Sequence, residues 1–256
     1  MRYSRFFLTL AATGVTLLAF QQTTLAQAQQ PAPNHVHYIE PPQQSTSPTG
    51  AVAPRLQKLG TYVFPVSTKN KQAQLFMNQG LDLSYAFNHA EAGRAYREAA
   101  RLDPDLAMAF WGEALALGPN INAPMDPANE PKALEVIQKA VALKAKASPR
   151  EQALIDALTQ RYSGHAEDRK ARDVAYADAM RKVHLQFPDD QDIAMLYVES
   201  VMDLRPWGYW TRDGTPYERT AEIVALTEQV IARNPVHPAA LHLYIHLMEA
   251  LPGGKG

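Results

Sequence analysis

Between Gln72 and Pro104 the chain spaces its large, small and aromatic residues in a way that leaves little choice of fold. Phe76, Gly80, Ala92, Tyr96, Ala99 and Pro104 stand where a helical hairpin of about 34 residues puts a large, a small, a small, an aromatic, a small and a helix-ending residue. One such hairpin cannot bury its apolar face alone and needs stacked neighbours. The spacing therefore predicts an all-α chain, a TPR-like α-solenoid of stacked hairpins that leaves one long concave wall free for a partner.

The rest of the chain repeats the helical rhythm. Helices are predicted over 72–87, 89–102, 105–117, 131–146, 149–161, 166–187, 191–204, 216–233 and 238–250. Leu134, Ile137 and Val141 share one face, Tyr176, Met180, Val183 and Phe187 another, and Ile223, Leu226 and Val230 a third. Ser148-Pro149-Arg150-Glu151 reads as a capping box, and Thr215-Pro216-Tyr217-Glu218 as a second. Asp126-Pro127 and Asp189-Asp190 mark further helix starts, and the Lys144/Lys146 and Arg169/Lys170/Arg172 runs read as solvated faces. No alternating β-branched run is long enough for a sheet.

Residues 1–28 read as a signal peptide. Arg2 and Arg5 precede an apolar stretch from Phe6 to Phe20 that is short for a bilayer span, and Ala26-Gln27-Ala28 offers the cleavage site. The expected product is a periplasmic or secreted chain with no membrane span. Loss of the leader moves the formal charge from −1 to −3, because two arginines go and no acid does. That balance gives no basic field for nucleic acid or an anionic membrane. There is no cysteine, so no disulfide contributes. Residues 29–54, rich in Pro and Gln, read as a flexible linker carrying His35 and His37, and 55–256 as the helical domain. Tyr62-Val63-Phe64-Pro65-Val66 is a short extended apolar piece at its entrance.

In the register of the first hairpin, Met77, Leu81, Tyr85, Met108, Trp111 and Leu115 form an apolar, aromatic groove floor suited to a peptide or protein segment. Two loops interrupt the helices, one from Gly118 to Pro131 and one around Arg205-Pro206-Trp207-Gly208-Tyr209-Trp210. Trp207, Tyr209 and Trp210 are expected either to staple their loop down or to stack on a ligand. His242, His246 and Glu249 lie at i, i+4 and i+7 of the last helix, on one face, where a divalent metal (zinc, copper or iron) could be held. Leu243 stands where a zinc-protease helix has its general-base glutamate, so that pattern is incomplete. No other catalytic motif is complete, and His89, His165 and His184 carry no assigned chemistry.

Several blocks also resemble a family of exported bacterial tetratricopeptide-repeat proteins. They are Phe64-Pro65-Val66-Ser67-Thr68, Asn78-Gln79-Gly80-Leu81-Asp82-Leu83, Tyr85-Ala86-Phe87-Asn88-His89-Ala90-Glu91-Ala92, Ala107-Met108-Ala109-Phe110-Trp111-Gly112, Ala116-Leu117-Gly118-Pro119-Asn120 and His237-Pro238-Ala239-Ala240-Leu241-His242-Leu243-Tyr244-Ile245-His246-Leu247-Met248-Glu249-Ala250. The likeness implies the helical-repeat fold, export, and a longer protein of which this chain is the N-terminal part. It implies no reaction.

Overall fold

The apolar periodicity resolves into nine α-helices in the computed structural model, which describes residues 49–249, 251 and 253. They are α1 (Lys71–Tyr85), α2 (His89–Leu102), α3 (Ala107–Leu117), α4 (Glu130–Leu143), α5 (Pro149–Thr159), α6 (Arg169–Gln186), α7 (Gln191–Met202), α8 (Thr220–Arg233) and α9 (Pro238–Glu249). Among the described residues there is no strand, only two isolated bridges. The leader, the linker up to Pro48 and the pair His35/His37 lie outside the described residues.

Each helix packs on the next, as consecutive hairpins require. Tyr96 on α2 shows why the spacing of the first repeat matters. Its ring is fully buried, wedged between Gly80 of α1 and Gly112 of α3. A Cβ on Gly80 would lie 2.5 Å from the ring, and one on Gly112 2.4 Å. Two glycines one hairpin apart therefore let three helices close on one aromatic side chain. The Tyr96 hydroxyl lies 3.2 Å from the Ser84 hydroxyl, which donates to the Gly80 carbonyl.

Local signals account for most boundaries. Asn70 caps α1 by accepting from the Gln72 and Ala73 amides, and Asp190 caps α7. Ser148 and Glu151 complete the capping box of α5 with Pro149 at its first position. The second expected box does not form. Trp210 and Pro216 pair as a bridge and Tyr217 donates its amide to the Tyr209 carbonyl, which holds Thr215 and Pro216 in a loop. The helix α8 starts only at Thr220, after Arg219 in a left-handed conformation. Nor is Arg169 a solvated charge: it pairs with Glu130 and Asp173.

The helix contacts are not confined to neighbours in sequence. α9 packs on α7 and also on α1, so the last helix reaches the first. Val52 and Ala53, expected in the flexible linker, are already attached: Ala53 is buried and the Val52 amide donates to Glu98. On α9 Leu243, Leu247 and Met248 are buried, whereas Leu241 and Ile245 are exposed. No helix among the described residues is long and apolar enough to cross a membrane.

Gly112→Ala is expected to lower stability by about 1–3 kcal/mol, because the new methyl group overlaps the Tyr96 ring. Urea unfolding measures the loss, and adding Tyr96→Leu should return part of it. An unchanged midpoint in Gly112→Ala would contradict the three-helix wedge.

Candidate functional site

The six residues expected to floor an open groove are interior. Met77, Leu81, Met108 and Trp111 are fully buried, and Tyr85 and Leu115 almost so. Two neighbours pack on this region: α9 against α1, and the chain's own entrance segment, residues 52–68, against Trp111 and Tyr85. Phe64 is the anchor of that strap. Its ring is fully buried, stacked at 6.0 Å on Trp111, and the Arg150 guanidinium lies 4.5 Å over it. Tyr62 meets Tyr85 edge-on at 6.4 Å.

Side chains of three helices grip the strap by its main chain. Gln79 accepts from the Leu56 amide and donates to the Pro54 carbonyl. Asn78 accepts from the Phe64 amide, while Gln74 donates to the Phe64 carbonyl and accepts from the Val66 amide. Glu98 takes the Val52 amide and Glu151 the Ser67 amide and hydroxyl. An extended segment has no partners for its own amides, so these side chains stand in for a neighbouring strand.

At the strap's centre lies a buried carboxylate, Asp192 of α7. The Tyr62 hydroxyl donates to it at 2.5 Å and the Tyr85 hydroxyl at 2.8 Å, and Arg150 approaches at 3.5 Å. His237 is fully buried beside it, 3.1 Å from the Tyr62 oxygen. Its Nδ1 accepts the Ala240 amide and so caps the start of α9, which leaves Nε2–H to donate to Tyr62. Burial lowers the His237 pKa to about 4, so this relay runs from a neutral imidazole through a phenol to the carboxylate. Burial also raises Asp192, against the two tyrosine hydrogen bonds that favour its charged form.

The histidine pair on α9 sits at the other end of Tyr85. His242 places Nδ1 2.6 Å from the Tyr85 carbonyl, and His246 places Nδ1 on the Glu249 carboxylate. The two Nε2 atoms face each other at 3.0 Å. Glu249 thus touches the second histidine rather than joining a set of three, and no group of three His, Asp or Glu side chains among the described residues is arranged to hold a metal. The loop aromatics divide. Tyr209 is buried, and Trp210 donates its indole N–H to the Leu247 carbonyl at 2.7 Å, which staples the loop to α9. Trp207 remains 45% exposed, with its ring edge-on to His246 at 5.1 Å.

A third cluster was not legible in the sequence. Arg161 pairs with Asp173 and Asp203 and donates to the Pro119 carbonyl, which ties the two long loops to one guanidinium. Beside it Glu199, Asp203, Ser84, His89 and Ser200 line a cavity of about 10 Å³, room for one water. Burial and the neighbouring Asp203 charge hold the Glu199 carboxyl well above the usual carboxylate range, against the pull of Arg161. The space is too small for an organic ligand.

No protein-family model matches the chain, and no curated protein matches it. What the sequence missed are the gripping amides Gln74, Asn78 and Gln79, and the pairing of Tyr62 with Asp192. A polar stripe on α1 opposite an extended aromatic segment was the available signal for the first. Nothing local announces the second, whose partners stand far apart in the chain.

Glu199 gives a pH test. Its folded-state proton affinity exceeds that of an unfolded glutamate, so its contribution to stability is full below the ordinary carboxylate range and is lost as pH rises through the folded value. Glu199→Gln keeps the shape with no proton to lose, so its Tm relative to the wild type should climb between pH 5 and pH 8.5. His237 acts in the opposite sense, losing stability as pH falls from the ordinary histidine range towards about 4, and is common to both chains. A pH-independent Tm difference would contradict the assignment.

Proposed function

We propose that this chain is an exported, tetratricopeptide-like helical module that holds an extended peptide, and that its own residues 52–68 occupy the seat. One observation carries the reading: Gln74, Asn78, Gln79, Glu98 and Glu151 all bond to main-chain groups of the strap. Main-chain bonding is indifferent to side-chain identity, which is how helical and sheet receptors hold extended peptides of varied sequence. Selectivity then falls to the few side chains that enter pockets, here Phe64 against Trp111 and Arg150 and Tyr62 edge-on to Tyr85. The partner that fits is an extended segment with two aromatic residues spaced by one, the second followed by proline, as in Tyr62-Val63-Phe64-Pro65. The leader and the near-neutral charge suit a peptide partner outside the cytoplasm. No catalytic role is part of the proposal.

The test uses the full chain and a fluorescein-labelled peptide with the sequence of residues 52–68. Phe64→Ala in the chain empties the aromatic seat and should cost about 3–5 kcal/mol of stability. The variant should capture the labelled peptide in an anisotropy titration at least tenfold more tightly than the wild type does, and a peptide lacking that phenylalanine should not bind. Tyr62→Phe, a milder change that weakens the strap without opening a cavity, should give a smaller gain. Failure of the folded variants to bind the peptide would overturn the reading.

A further inference from the structure

The histidine pair on α9 brings two ring nitrogens face to face. The Tyr85 carbonyl can only accept, so His242 must carry its hydrogen on Nδ1. The Glu249 carboxylate likewise draws the hydrogen of His246 to Nδ1. Both Nε2 atoms then carry lone pairs, and they lie 3.0 Å apart. A metal ion bound by both nitrogens would use both lone pairs.

Three further features build the site. First, the outer nitrogens are held by the two kinds of partner that orient metal-bound histidines, a backbone carbonyl and a carboxylate. The Tyr85 carbonyl is one of those left unpaired at the end of α1, so the helix terminus supplies it ready-made. Second, Phe87 covers both imidazoles, 4.5 Å from His242 and 5.7 Å from His246. It does so from the position after the cap of α1, at φ 55°, where the Phe87 amide bonds to Ser84 and the Asn88 amide to Leu83. That closing motif normally takes glycine, and a phenylalanine there is strained. Third, Trp207, which walls His246, is also left-handed, at φ 64°. Two of the four non-glycine residues with positive φ among the described residues therefore pack on this one pair. Strain of this kind persists where the surroundings enforce it, and it concentrates at ligand sites.

We infer that His242 and His246 chelate one late first-row divalent metal ion through their Nε2 atoms, with Tyr85 and Glu249 as positioning groups. Two nitrogens 3.0 Å apart, each at about 2.0–2.1 Å from a metal, subtend about 95° there. That is the cis angle of a tetragonal copper(II) or nickel(II) centre, and imidazole suits both better than it suits magnesium or calcium. Glu249 is engaged at His246, so the remaining coordination positions fall to water or an external ligand. The assignment does not depend on the strap.

The experiment titrates Cu²⁺ and Ni²⁺ into chelator-stripped full chain by calorimetry, following tryptophan emission in parallel. One ion should bind per chain at the α9 pair, and Cu²⁺ should quench the emission through Trp207. His246→Gln should weaken binding at least tenfold. Glu249→Gln, at an exposed position that leaves the fold alone, should weaken it about 10–100-fold by freeing the His246 ring. Trp207→Phe should remove most of the quenching while the ion still binds. His35→Ala/His37→Ala controls for a second site and should leave the α9 site intact. Equal affinity in wild type, His246→Gln and Glu249→Gln, or binding lost only in the His35/His37 variant, would overturn the inference.

Discussion

A carboxylate with almost no access to water has to be satisfied by the protein, and Asp192 is satisfied from four parts of the chain. Tyr62 comes from the strap, Tyr85 from α1, Arg150 from α5, and His237 reaches it through Tyr62 from the start of α9. Leaving such a group unpaired costs several kcal/mol, so the four elements are effectively pinned to α7 at one point. The consequences spread outward. The strap is drawn onto the inner residues of α1 and α3, α9 is brought against α1, and the residues between them become interior.

That single junction explains why the helices were legible and their assembly was not. Periodicity, the Ser148 cap and the glycine spacing around Tyr96 are local properties, and local properties are written in consecutive residues. Met77, Leu81, Tyr85, Met108, Trp111 and Leu115 were expected to floor a groove that holds a partner, and they are interior. Their burial depends on Phe64 and Tyr62, which lie in a segment with no helical period, and on a contact between the first helix and the last. Thr215 misled for a similar reason. Its sequence has the letters of a cap, but the Trp210–Pro216 bridge claims it first.

The same logic separates the two histidine features of α9. His237 is neutral, buried and committed to Tyr62 and its own helix start, so it has no free nitrogen. His242 and His246 have theirs, because each outer nitrogen is taken by an acceptor and each inner nitrogen is left facing the other. Spacing alone put His242, His246 and Glu249 on one face. Only the partners show that Glu249 contacts His246 and does not complete a set of three.

Tyr85 joins the two halves of this picture. Its hydroxyl is bound to the junction that holds the strap, and its carbonyl is bound to the ring of His242. It sits at the last turn of α1, where the helix leaves carbonyls unpaired and where Phe87 turns left-handed to cover the imidazoles. Moving that turn would loosen the hydroxyl contact and the carbonyl contact together, since both belong to one residue. One helix end therefore meets the strap's junction on one side and a histidine pair on the other. The strain at Phe87 is understandable as the cost of holding both: a glycine there would relax the backbone and leave the two imidazoles without their cover.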